Sequence, residues 1–305
     1  MDRHSLNRKD FAAALREHMN EHFKVDAHHP GDEYTPLAFR HYIRRIAVLE
    51  ALSEARFQTA LDVGCAEGFF MNAIRSRFGA EVWGLDISNA AVEILHSRLG
   101  CPAAAADATR LPFADGSFDL VYSTEVIEHV LDPELMLAEM RRVSRGLVLL
   151  TTPVSRTAHD HKPDYALANE GHVNNFDRTT VSRIFGPDAQ LGSFRCNASL
   201  ALIVAVGRYM PPGIRDRFYA FDHFVAKRMG APDHPLKPLR NRDWLITLPG
   251  LGQGDGKPQW RCPACRGQLI EASGNLRCSN CAALYRVSAD VPDFFDAETP
   301  PQPKQ

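Results

Sequence analysis

Four cysteines near the C-terminus, Cys262, Cys265, Cys278 and Cys281, stand in a C-x2-C-x12-C-x2-C arrangement. Two tight knuckles separated by a short hairpin bring four thiolates to one tetrahedral point, with sulfur about 2.3 Å from zinc. Four protein ligands leave no position for water, so such an ion is structural. Two disulfides are the other use of four cysteines, but they belong to oxidising compartments. A second group of residues is acidic: Asp62 closes the apolar run ALD, Asp86 closes EVWGLD and Asp107 follows AAAA. A carboxylate accepts hydrogen bonds from ribose hydroxyls and from the exocyclic amine of adenine. Three of them at successive strand ends suit a cofactor that carries adenosine, no phosphates and a positive charge.

These acids need elements to position them. ALDV, residues 60 to 63, runs into Gly64, and a helix with Phe70, Ile74 and Phe78 on one face follows, stopping at Gly79. EVWGLD is a strand, Ser88 to Leu99 a helix ending at Gly100, and DLVYS and GLVLLTT two further strands. Asp132 and Pro133 open the helix between those two as N-cap and first residue. Strands alternating with helices predict an α/β fold with a doubly wound, mainly parallel sheet. In such a sheet ligands bind beyond the carboxyl ends of the strands. A dinucleotide fingerprint needs G-x-G-x-x-G, yet Ala66 and Phe69 follow Gly64 at the other two places, and no Gly-Lys-Ser/Thr supplies a phosphate loop.

Taken together, Asp62, Gly64 and Gly68 match the D-x-G-x-G-x-G loop of class I S-adenosylmethionine-dependent methyltransferases, with Ala66 at the middle glycine. DATRLPFADGSFDLVYSTEVIEHVLDP, residues 107 to 133, resembles the type 11 branch that includes ubiquinone-type and other small-molecule methyltransferases. The resemblance spans roughly residues 36 to 177. It implies a Rossmann-like methyltransferase fold with cofactor contacts from Asp62, Gly64, Cys65, Ala66, Gly68, Asp86, Ile87, Asp107, Ala108 and Glu125. Gly64 and Gly68 would admit the methionine part, Asp86 the ribose, and Asp107 with the Ala108 amide the adenine edge. Ala66 is tolerated if its φ is negative, and Cys65 is read as a buried apolar residue. Methyl transfer is an in-line displacement that needs a general base only when the nucleophile must lose a proton. His129 and His172 are the candidates; His159 and His161 are weaker, and His28 and His29 read as polar loop.

The chain of 305 residues has 45% hydrophobic and 24% charged residues and a formal net charge of −2, the profile of a globular protein with no global field for nucleic acid. MDRHSLNRKD lacks an apolar stretch of the signal-peptide kind, so a cytoplasmic protein with no membrane segment is expected. The expected organisation is helices over 1–58 as a lid, a catalytic domain over 59–250, a linker over 251–258 and a zinc ribbon over 259–297. DWLITL is expected as a last strand, 190–206 as a return to the sheet and 214–229 as a helix. The ribbon is similar to the small zinc-ribbon subunit that activates RNA and protein methyltransferases. Two functions compete: methylation of a small-molecule or glycan-precursor acceptor, and methylation of tRNA or rRNA with the ribbon as handle. The ribbon's Arg261, Arg266, Arg277 and Arg286 favour RNA, and Asp290, Asp293 and Asp296 oppose it.

Overall fold

Thr59–Val63 (β1) is buried at all of its positions, as a parallel strand covered on both faces must be. The computed structural model describes residues 8–25, 36–154, 172–195, 242–254 and 257–295, with 214, 217 and 297. Two helices, α1 (Arg8–Val25) and α2 (Pro36–Ala51), precede β1. Then come α3 (Phe69–Phe78), β2 (Glu81–Asp86), α4 (Asn89–Leu99), β3 (Ala103–Ala105), β4 (Phe118–Thr124), α5 (Pro133–Val143), β5 (Ser144–Pro153), α6 (Arg178–Phe185), β6 (Gln190–Arg195) and β7 (Arg242–Pro249). The seven strands form one sheet in the order β3-β2-β1-β4-β5-β7-β6, with β7 antiparallel to both of its neighbours. The order reverses at β1, between β2 and β4, and this opens a crevice above the carboxyl ends of the strands.

Local chemistry accounts for the boundaries. Ser88 accepts from Ala91 N and Asp132 from Leu135 N, which caps α4 and α5, while Gly79 and Gly100 close α3 and α4 in the left-handed conformation. Along β1 the side chains alternate between faces: Leu61 and Val63 join Phe118, Met136 and Met140, while Ala60 joins Met71, Ile74 and Leu95. The strand expected at DWLITL is β7. The expected return over 190–206 is seen as β6, and its remainder lies outside the described residues, as do most of 214–229 and His28, His29, His159 and His161. Among the described residues no helix is long and apolar enough to cross a membrane.

The C-terminal region adds β8 (Leu269–Ala272), β9 (Asn275–Cys278) and β10 (Leu284–Tyr285) as a small antiparallel sheet, and a β11 (Val287–Ser288)–β12 (Val291–Pro292) ribbon. It docks on the β3 edge. Phe294 N donates to Ala105 O at 2.7 Å, Arg261 N to Pro112 O at 2.7 Å, and Trp260 stacks on Phe113 with centroids 4.8 Å apart. The glycine stretch ahead of it is tied down in its first half. Leu251 N and Gly252 N donate to Arg141 O and Ser144 O at 2.7 and 2.8 Å, and a Cβ on Gly254 would lie 2.4 Å from Asp115 O. Glycine is what lets this backbone lie flat on the α5–β5 junction.

Candidate active site

The turn after β1 is built by backbone constraint. Gly64 has φ +82°, and a Cβ there would come 2.1 Å from Val126 Cγ2. Its N–H and that of Cys65 both donate to Leu85 O, at 2.6 and 3.0 Å, which ties the turn to β2. Ala66 departs from expectation: its φ is +45°, in the left-handed region, rather than negative. A non-glycine residue there costs about 1–2 kcal/mol. The strain is held by the Ala66 N–H, which donates to Asp86 Oδ2 at 2.9 Å. Gly68, with φ +84°, packs where a Cβ would meet Leu99 Cδ1 at 2.7 Å.

Asp86 is the hinge of this arrangement. Its second oxygen, Oδ1, accepts from Ser88 N at 2.9 Å, so each carboxylate oxygen holds one backbone donor and keeps a lone pair for a ligand. Burial pushes its pKa up, and the Ser88, Ala66 and Ile87 backbone groups work against that rise. Asp107 Oδ1 accepts from Thr109 N and Oγ1, both at 2.8 Å. Asp86, Ile87, Asp107, Ala108, Gly64, Ala66 and Glu125 all line one cavity of about 550 Å³, and so do His129 and His172. From β3 to β4 along the strand ends is three strand spacings, about 14 Å, room for an adenosyl group with an extended amino-acid tail. Five acids and one arginine, Arg44, line the cavity, which favours a cationic ligand.

Asp62 and Cys65 are placed differently, since their side chains and Gly68 do not line the cavity. Cys65 is 4% exposed and packs with Met71 and Leu95; burial, with Asp86 and Asp62 nearby, holds it as a thiol. Burial pushes the Asp62 carboxyl up to about 8; the Tyr122 hydroxyl eases the shift, although neither that hydroxyl nor Asp62 Oδ1 has a hydrogen bond of normal geometry. A folded-state pKa above the unfolded one stabilises the protein fully below about pH 4, and that contribution is lost as pH rises towards 8. Thermal unfolding is therefore expected to fall between pH 5 and about 8, and Asp62→Asn to flatten the decline. An unchanged slope in that variant would mean that Asp62 is ionised in the fold.

The roof of the cavity comes from α1 and α2. Phe11, Leu15, His18, Met19 and His22 of α1 line it, with His41 and Arg44 of α2. Phe11 and Leu15 pack on Val173, with Ile87 and Leu131 beside them. Asn20 Oδ1 accepts from Ser88 Oγ and Ala90 N, at 2.8 and 3.3 Å. Arg16 pairs with Asp293 of the C-terminal region, which also accepts from Asn89 Nδ2 at 3.0 Å, and its guanidinium lies 4.6 Å from the Phe295 ring centre. Asp293 thus ties α1, α4 and the C-terminal region together. Asp293→Asn is expected to weaken adenosyl-ligand binding by about 1–3 kcal/mol through a looser roof; calorimetry giving unchanged affinity would rule out this latch.

Of the cavity residues, Arg44 and the α1 histidines carry little signal in the sequence, whereas Glu125 is expected there. Arg44 is 2% exposed; it donates to Asp243 Oδ2 at 2.7 Å and pairs with Glu125 at 2.8 Å. Its partners are 81 and 199 positions away, a separation no local pattern reveals. Glu128 is 1% exposed, and burial lifts its pKa to about 8. Glu125 adopts φ +58° and lies near Thr151, whose Oγ1 is 3.3 Å from Oε1. His18 and His22 are four residues apart on α1, a spacing that places both on one face.

The four C-terminal cysteines converge. Cys262 and Cys281 sulfurs are 3.6 Å apart, Cys265 and Cys278 sulfurs 3.4 Å, and all four lie within 4.8 Å of one another. Tetrahedral zinc sulfur sites require sulfurs about 3.8 Å apart, whereas a disulfide requires about 2.05 Å. Asn280 N and Cys281 N face Cys278 Sγ at 3.4 and 3.5 Å, and the Tyr285 hydroxyl lies 3.0 Å from Cys262 Sγ. These donors suit thiolates.

A sheet of this order, reversed only at β7, is the Rossmann-like fold of class I S-adenosylmethionine-dependent methyltransferases. The chain belongs to the methyltransferase family. A family model described as a methyltransferase domain matches residues 61–149. An uncharacterized methyltransferase of Mycobacterium sp. (strain KMS) is 33% identical over 182 residues, which cover 52% of this chain and 72% of that protein. The malonyl-[acyl-carrier protein] O-methyltransferase of Legionella pneumophila is 32% identical over 124 residues, 38% of this chain and 44% of that one. The chain spans less than half the length of this and the other first-ranking O-methyltransferases it matches. In fold it is similar to geranyl diphosphate C-methyltransferase from Streptomyces coelicolor A3(2), with a TM-score of 0.52 at 14% identity, covering 79% of this chain and 98% of that one.

Proposed function

We propose that this protein transfers the methyl group of S-adenosylmethionine to an oxygen of a small-molecule or glycan-precursor acceptor. The observation that carries this reading is the single cavity in which Asp86 and Asp107 stand with His129 and His172 beneath the α1 roof. Asp86 accepts from the ribose hydroxyls, Asp107 and the Ala108 amide meet the adenine, and Glu125 lies towards the methionine part. His129 and His172 act on the acceptor hydroxyl. The hydroxyl proton passes to solvent as the C–O bond forms, the C–S bond breaks with its electrons returning to sulfur, and the donor leaves as a neutral thioether. The O-methyltransferase names of several relatives support oxygen as the acceptor atom.

We further propose that 259–297 is a zinc ribbon braced against a catalytic domain over 59–250, with the helices of 1–58 as its lid. Its ion is structural and holds the docking face formed by Trp260, Asp293 and Phe294. RNA is the weaker reading, because Arg266 of the ribbon turns towards Glu139 of α5 at 3.4 Å, so part of the ribbon's positive charge is met by the catalytic domain. Transfer of tritiated methyl from labelled donor into a cell extract, separated into RNA, protein and small molecules, tests the assignment. Label is expected in the small-molecule fraction; label confined to RNA would replace it with the RNA reading.

A further inference from the structure

We propose that Glu128, His129 and His172 form a divalent-cation site in the cavity wall, which holds an acceptor through two neighbouring oxygens, one of them the methylated hydroxyl. One ligand atom from each of the three lies within 4.8 Å of the others. The two imidazole rings stand nearly perpendicular, at 85°, with centroids 4.7 Å apart. Glu128 supplies an independent sign of a missing partner. Its Oε2 accepts from Thr152 Oγ1 at 3.0 Å, whereas its Oε1 is buried without a hydrogen-bond partner, on a side chain that lines the cavity. Buried carboxylate oxygens in native folds have partners, so an orphan beside two imidazoles calls for one.

The backbone holds the three residues in fixed relation. Glu128 O accepts from Val173 N and Asn174 N, at 2.8 and 2.9 Å, and Asn174 Nδ2 donates to Ile127 O and Val130 O at 3.2 and 2.6 Å. The segment that follows His172 is thereby stapled to the short 3-10 turn Ile127–His129. Arg44 would oppose a cation, but its charge is met by Asp243 and Glu125.

Two imidazoles and one carboxylate suit a divalent first-row cation and leave positions open for exogenous oxygens. A bound hydroxyl becomes more acidic. It loses its proton to solvent, and the oxygen then attacks the methyl carbon while the C–S bond breaks towards sulfur. An acceptor with vicinal hydroxyls, or a hydroxyl beside a carboxylate, fills two such positions. This role in catalysis rests on the methyl-transfer reading; the cation site itself does not.

The probe is Mn2+, titrated into the full chain with the four cysteines already loaded with zinc and followed by loss of the free-ion paramagnetic resonance signal. One Mn2+ per chain is expected. Glu128→Gln and His172→Ala should each weaken it at least about tenfold, with a cooperative thermal unfolding transition as the check that both variants are folded. His172 is only partly buried, so its variant remains informative if the fully buried one misfolds. Failure of the wild-type chain to take up Mn2+, or equal uptake by both variants, would overturn the site. If the adenosyl ligand bound without Mn2+ uptake, the cation site would fall and the methyl-transfer reading would stand; uptake without adenosyl binding would do the reverse.

Discussion

Asp86→Ala is expected to lower affinity for S-adenosylmethionine, and for its demethylated product, by about 100-fold to 10,000-fold in calorimetry. Two ribose hydroxyls bonded to a carboxylate are worth about 1.5–3 kcal/mol each, and each 1.4 kcal/mol is tenfold. A second loss adds to the first. Asp86 also accepts from Ala66 N and Ser88 N, so its removal frees the strained residue of the cofactor turn and the start of α4. The same change relieves a carboxylate that burial disfavours, so thermal stability should move far less than affinity. Asp86→Asn separates the contributions, because the amide keeps one acceptor for the backbone and loses the charge. Near-wild-type affinity in both variants would place the adenosyl group elsewhere.

The second large effect belongs to Cys278→Ser. Structural zinc sites contribute about 10–16 kcal/mol of apparent binding free energy, and in a module of this size that energy is folding energy. Loss of one thiolate is expected to abolish zinc retention in metal analysis and to expose the region beyond Leu251 to protease. The consequence should travel. Trp260 would leave its stack on Phe113, the Phe294–Ala105 hydrogen bond would open, and Arg16 would lose Asp293 beneath the α1 roof. Adenosyl-ligand binding should therefore weaken although no ligand contact has changed, and by more than in Asp293→Asn, which keeps the zinc. A chelator that left both metal content and unfolding temperature untouched would remove the zinc ribbon.

What the amino-acid sequence determined by itself was local. The strands β1 to β5, the caps Ser88 and Asp132 with the stops at Gly79 and Gly100, the acids at the strand ends and the two cysteine knuckles all rest on periodicity or spacing within about a dozen residues. Such features are written where they act. The tertiary structure decided what depends on distant partners. Ala66 lies at positive φ because Asp86 on the next strand receives its N–H. Asp62, at the end of the first strand, turns beneath the cavity towards Tyr122, since it shares a sheet face with Ala60. Strand β7 lies between β5 and β6 although it follows both in sequence, and Arg44 finds Asp243 on that strand. The nearness of Glu128 to His172, and the pairing of Arg16 with Asp293, likewise follow from packing. Contacts of this range obey no sequence period, because what brings the partners together is burial and hydrogen bonding in the assembled core.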